Sequence, residues 1–219
     1  MTRRRRLIST AAAGAMAALL LAGCGGGGGG GSKGNDKIAG ADTGGSASAS
    51  PSASASSSAN RPVITLPSDV KDKYESWKTG NEIKDAVLVD TAARIDATND
   101  AILRGETSAP GLSFYYRDKA LTDAVAWVQA YLDANLSFTG TTRYYAPKVT
   151  LSGDATASVV YCSDESKGFN KSRKTKKVDR TPLKQSPYVL YNTRLEKNKN
   201  GVWQTTNLIS KRGDKTCAA

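Results

Sequence analysis

The chain has 219 residues, and 31 Lys and Arg against 20 Asp and Glu give a formal net charge of +11. It contains no histidine, which excludes Ser-His-Asp and Cys-His catalysis, histidine general bases and histidine metal ligands. Three cysteines are too few for a zinc cage, so neither a metal nor a cofactor is implied, and the length allows one domain of ordinary size once low-complexity sequence is set aside.

Residues 1–23 have the three parts of an export signal. Arg3, Arg4, Arg5 and Arg6 form the charged start, no acidic residue precedes Cys24, and an apolar stretch runs from Ala11 to Ala22. At about a dozen residues that stretch is too short to span a bilayer, which takes roughly 20. It ends Leu21-Ala22-Gly23-Cys24, which resembles the lipobox of bacterial lipoproteins. The resemblance implies cleavage between Gly23 and Cys24 and a diacylglyceryl group on the Cys24 thiol, holding the protein on the extracytoplasmic face of the cell membrane. A chance match inside an ordinary secretory signal is the alternative. Arg4-Arg5-Arg6-Leu7-Ile8 fits the twin-arginine pattern and the general secretory route alike. Cleavage would leave 27 basic and 20 acidic residues, a net of +7. It would also leave Cys162 and Cys217 as the remaining cysteines, and in an oxidising compartment they are expected to form one disulfide.

Residues 24–61 are dominated by Gly, Ser and Ala, including the unbroken run Gly25 to Gly31. Few large apolar side chains occur there to offset the entropy of ordering, so a disordered tether is expected. Roughly 40 residues at about 5–6 Å × √n reach about 35 Å. The folded domain is expected over residues 62–219.

Within the domain, Val70 to Trp77 fits a strand or a helix. Asn81 to Arg104 is a predicted helix, with Leu88, Ala92, Ile95, Ile102 and Leu103 at helical spacing and Gly105 placed to end it. Asp118 is the expected N-cap of a second helix, whose stripe is Leu121, Val125, Val128 and Leu132. Beyond Asn135 the period becomes two. Phe138 to Tyr144 and Ala155 to Cys162 are predicted strands, the latter after a Ser152-Gly153-Asp154 turn. Tyr188 to Lys197 and Val202 to Lys211 form a predicted hairpin closed by Asn200-Gly201. Helices followed by a meander of strands argue an α+β fold with a curved antiparallel sheet.

That order resembles the nuclear transport factor 2-like fold, a cone of helices laid across a strongly bent sheet. Several stretches are also similar to a family of actinobacterial lipoproteins with that fold: Trp77-Lys78-Thr79-Gly80, Lys84-Asp85-Ala86-Val87-Leu88, Thr139-Gly140-Thr141 with Arg143-Tyr144-Tyr145, Tyr188-Val189-Leu190-Tyr191 and Gly201-Val202-Trp203-Gln204. The resemblance implies a fold and a location, since members of that family are generally of unassigned function. Enzymes of this fold, ketosteroid isomerases and polyketide cyclases among them, use an aspartate base inside the cone with tyrosine or histidine partners. The carboxylates available on the first helix are Asp85, Asp90, Asp96 and Asp100, of which Asp85, Asp96 and Asp100 are expected on a solvated face. Tyr115, Tyr116, Trp127, Tyr144 and Tyr145 are candidates for lining the cone, as core or around a small-molecule pocket, with Phe114 and Tyr131 nearby in the chain.

The strongest compositional signal is Lys167 to Lys184. Lys167, Lys171, Arg173, Lys174, Lys176, Lys177, Arg180 and Lys184 are opposed by Asp179 alone, a net of +7 that equals the whole net charge of the cleaved chain. Lying between two predicted strands, it is expected to be a long exposed connection. For an exported protein the fitting partners are anionic lipid headgroups or wall polymers, and no nucleic acid is expected; a merely solvated loop is the alternative. The sequence therefore describes a lipid-anchored, non-catalytic binding or accessory domain. The rivals are a small-molecule enzyme using an aspartate in the cone and a structural envelope subunit. An open cone with an unpaired aspartate would favour the enzyme, and a filled cone an interaction surface.

Overall fold

The computed structural model describes residues 60–181 and 184–218. The export signal, the Gly23–Cys24 cleavage site and most of the tether lie outside the described residues. Eight elements follow in order: β1 (Val70–Tyr74), α1 (Glu82–Arg104), α2 (Pro110–Tyr115), α3 (Asp118–Asp133), β2 (Leu136–Leu151), β3 (Thr156–Ser172), β4 (Tyr188–Lys197) and β5 (Trp203–Arg212).

α1 starts where the Asn81 side chain accepts from the Lys84 amide at 3.0 Å. Asp85, near its start, accepts from the backbone of Thr79 and Gly80, placing a negative charge against the positive helix end. The helix stops at Gly105, whose φ of 79° only glycine adopts without strain. α2 was not anticipated; Pro110 at its first position costs no hydrogen bond there. α3 departs from expectation at its start, because Asp118 is already the first helical residue and Arg117 occupies the cap without a side-chain bond. Its buried stripe is Ala120, Ala124 and Val128, with Leu121, Val125 and Leu132 only half-buried on the flank. Small residues at the centre let the helix lie close to its neighbours, and the larger ones fill the margins.

The sheet has the order β1-β2-β3-β4-β5. Val70–Tyr74, which the sequence left open between strand and helix, is an edge strand paired parallel to β2, and every other pairing is antiparallel. β2 and β3 are 16 and 17 residues long, and irregular registers break the β2–β3 and β4–β5 ladders. Such bulges add twist and bend a long sheet around the helices. The turn before β5 is closed by Asn198, whose side chain accepts from the amides of Asn200 and Val202, while Gly201 takes φ 80°. The core between α1 and the sheet contains Leu88, Ile95, Tyr144, Val159, Tyr161, Leu195 and Trp203. A second cluster seats α3 through Ala120, Ala124 and Val128 against Ile102, Leu112 and Tyr116. Three helices laid on a bent five-stranded sheet, four of whose strands follow them, is the α+β arrangement expected from the sequence, with β1 added ahead of the helices.

Candidate functional site: a filled cone and a basic turn

The inward face of the sheet carries Tyr144, Tyr161 and Tyr191. Tyr161 stacks on Tyr191 with centroids 4.9 Å apart, and Trp77 meets Tyr161 edge-on at 5.4 Å. Arg94 of α1, 4% exposed, projects into this set. Its guanidinium donates to Tyr116 Oη at 3.0 Å and to Tyr161 Oη at 2.6 Å, and Nε has no partner among the described residues. Burial works against the charge, yet the two hydroxyls more than offset it and hold the Arg94 pKa above its ordinary value. Of the candidate lining residues, Tyr115, Tyr116 and Tyr144 are buried, each in a different cluster of the core. The other two are corrected. Trp127 is 55% exposed, because it sits on the flank of α3 beyond the alanine stripe. Tyr145 alternates with Tyr144 and faces outward, where Arg143 stacks on its ring at 4.3 Å.

One carboxylate of α1 is also not where the sequence put it. Asp96, expected in solvent, is half-buried, as is Asp72 of β1. Tyr74 Oη donates to Asp96 at 2.6 Å, and Asn99 Nδ2 donates to Asp72 at 2.6 Å. Burial pushes both carboxyls up, Asp72 to about 7. Asp90 is 1% exposed and is paired with Arg61 and the Trp203 amide, so it is not a free base. Sequence reasoning missed Asp72, Arg94 and Arg61; alternation of Val70, Asp72 and Tyr74 along a strand was the signal that could have placed Asp72 facing α1.

The basic segment is more structured than expected. β3 continues to Ser172, so Lys167 and Lys171 are strand residues, and the connection is a tight turn closed by Lys176 N–H to Ser172 O and Ser172 N–H to Lys177 O, both 2.9 Å. The chain then returns beside β3, with Val178 bridged to Lys171 and the Asp179 amide bonded to Asn170 O. Its cations divide into two groups. Arg173 donates to Ile102 O at 2.6 Å and Leu103 O at 3.3 Å, capping the end of α1. Lys171 pairs with Asp69 at 2.9 Å, and Arg180 lies over the Phe169 ring. Lys174, Lys176 and Lys177 are exposed at the turn and form no ion pair among the described residues, nor do the exposed Lys167 and Lys184. Lys176 is held at φ 60°, an uncommon conformation for a residue with a side chain.

On the outer face, Cys162 of β3 is disulfide-bonded to Cys217, and Tyr145 Oη donates to the Cys217 carbonyl. Two grooves of about 290 and 320 Å³ lie on this face. One is bordered by Ser158, Asn192, Asn207 and Ile209, the other by Lys73, Arg143, Asp164 and Lys167. Neither enters the cone. Among the described residues, no group of three or more His, Cys, Asp or Glu is placed to hold a metal ion, and no helix is long and apolar enough to cross a membrane.

No protein-family model matches the chain, and no curated protein matches it. Among solved structures, a ketosteroid isomerase-like protein from Erwinia carotovora atroseptica is similar, with 18% identity, a TM-score of 0.40, and coverage of 58% of this chain and 96% of its own. The intermembrane space region of the chloroplast protein ARC6 has 11% identity, a TM-score of 0.38 and coverage of 62% and 99%. An NTF-2 like protein of unknown function from Shewanella oneidensis has 17% identity, a TM-score of 0.35 and coverage of 56% and 96%.

Proposed function

We propose that the protein is a lipid-anchored domain that holds anionic envelope material through the turn between Ser172 and Val178, without catalysis. The observation that carries this reading is the division of labour in the basic segment. Arg173, Lys171 and Arg180 fix the turn to the domain, and Lys174, Lys176 and Lys177 stand exposed at its tip. A cationic tip on a rigid base loses little conformational freedom on meeting a surface of opposite charge. The cone supports a non-catalytic reading, since aromatic rings and Arg94 occupy it and neither Asp72 nor Asp96 borders either groove.

Anchoring through Cys24 rests on Leu21-Ala22-Gly23-Cys24 at the end of a short apolar stretch. Two acyl chains hold a protein firmly where one does so only marginally. Cys24→Ala is expected to shift the protein from the membrane fraction to the soluble fraction, or to leave an uncleaved precursor. A variant that matures and fractionates like wild type would remove the anchoring half of the proposal and leave the turn untouched.

A further inference from the structure

We infer that Trp127 of α3 and the basic turn form one surface that docks on an anionic lipid bilayer, with the lysines at the headgroups and the indole in the interface below them. This docking rests on the turn's proposed role and narrows its partner from anionic envelope material to lipid. Trp127 is 55% exposed on a helix whose other large apolar residues are buried or half-buried. A single exposed apolar side chain is ordinary, so its meaning comes from what surrounds it. Its exposed neighbours Ala126, Ala130 and Ala134 are small and uncharged, which lets the indole stand clear of the helix.

This uncharged surface ends where the basic turn begins. Asn135, directly after Ala134, accepts the Arg173 amide at 2.9 Å through its carbonyl, and its Nδ2 donates to Ser172 Oγ at 3.3 Å. Trp127 lies two helical turns before that junction, about 12 Å at 1.5 Å per residue. A second set of contacts fixes the two parts to each other. Tyr131 meets Trp127 edge-on at 5.4 Å and Phe138 at 6.3 Å. Phe138 is the β2 partner of Asn170, whose carbonyl accepts from Asp179 on the return from the turn. Opposing charge is limited. Asp123 is paired with Lys119 at 2.6 Å, and Asp133, bonded by Gln129, is turned about 120° from Trp127 round the helix.

The chemistry favours lipid over a polymer. An indole is amphipathic and settles where headgroups meet acyl chains, a position that a hydrated polyanion does not offer. The lysines supply attraction that salt screens, and the indole supplies apolar burial that salt does not screen. Trp77 is half-buried and Trp203 buried, so Trp127 is the tryptophan that can report contact with acyl chains. The test mixes the Cys24→Ala chain with vesicles of phosphatidylglycerol and brominated phosphatidylcholine, and separately with a soluble glycerol phosphate polymer. The vesicles are expected to quench tryptophan emission, and Trp127→Ala is expected to remove that quenching. The same substitution should weaken vesicle binding about tenfold, the scale for part-burial of an aromatic side chain, and leave polymer binding within about twofold. Vesicle binding without quenching, or a Trp127→Ala chain that binds vesicles like its parent, overturns the docking and leaves the turn's role standing. Binding to the polymer with none to vesicles does the same. A parent chain that ignores both materials at low salt overturns the turn's role and the docking together.

Discussion

At the scale of single residues, Asp90 joins three parts of the chain. It projects from α1, accepts the Trp203 amide of β5 at 2.8 Å and pairs with Arg61, which enters from the tether side. Burial pushes its pKa up, and the Trp203 amide and Arg61 oppose this. Arg61 is also corrected from tether to domain, and the half-buried Ile64 packs beside Tyr115, so the folded unit starts before Pro62. Asp90→Ala would leave both donors without an acceptor. It is expected to cost about 3 kcal/mol, the lower end for breaking a buried pair, and to lower Tm by about 6–12 °C in thermal unfolding. Arg61→Ala should cost less, because the Arg61 side chain is 25% exposed and Trp203 still bonds Asp90. An equal loss in both would assign the effect to the ion pair alone. Little of this was legible in the sequence. Helical spacing tells which face of α1 is buried, but what a buried Asp meets depends on a residue 29 positions earlier and another 113 later. Arg61 follows a Gly, Ser and Ala tract without any local break in composition.

At the scale of elements, the end of α1 shows how the basic turn is held. Gly105 leaves the helix in a left-handed conformation, and the Arg173 guanidinium lies where a Cβ on Gly105 would be. From there it meets the carbonyls of Ile102 and Leu103, at the negative end of the helix dipole. The Arg173 amide adds a bond to Asn135 O at 2.9 Å, joining the turn to the end of α3. Arg173→Ala is expected to destabilise the domain by about 1 kcal/mol in urea unfolding, with the loss of two charge-assisted bonds offset by water reaching the freed carbonyls. The same loss is not expected for Lys174→Ala, which is exposed. Equal effects would deny Arg173 its structural role. Both ends of α1 could be read from Asn81 and Gly105, because capping is local chemistry. The Arg173 contact could not, since composition counts a charge without saying which carbonyl it meets 71 residues away. The stripe of α3 was misplaced for a related reason: a search for large apolar residues passes over Ala120 and Ala124, whose small size is what permits close approach.

At the scale of the whole molecule, the sheet order was legible from its hairpins, since Asn200-Gly201 and the turn at Gly153 each join neighbouring strands. The parallel placement of β1 was not, because it depends on α1, α2 and α3 intervening between β1 and β2. The Cys162–Cys217 bond ties the chain end to the middle of the sheet. The basic turn lies at one end of β3. Near an anionic surface each exposed lysine contributes about 1 kcal/mol, decaying over a Debye length of about 8 Å. Lys174, Lys176 and Lys177 together should then account for about 100-fold in affinity. The most direct measurement is salt-dependent binding of the unlipidated Cys24→Ala chain to anionic vesicles and to anionic wall polymer, beside the same chain carrying Lys174→Glu, Lys176→Glu and Lys177→Glu. The account predicts that the parent chain binds at least one of these at low salt, that binding weakens steeply as salt rises, and that the triple reversal loses at least about 100-fold with its Tm unchanged. A parent chain that ignores both materials at low salt, or a triple variant that binds as well as the parent, would contradict it.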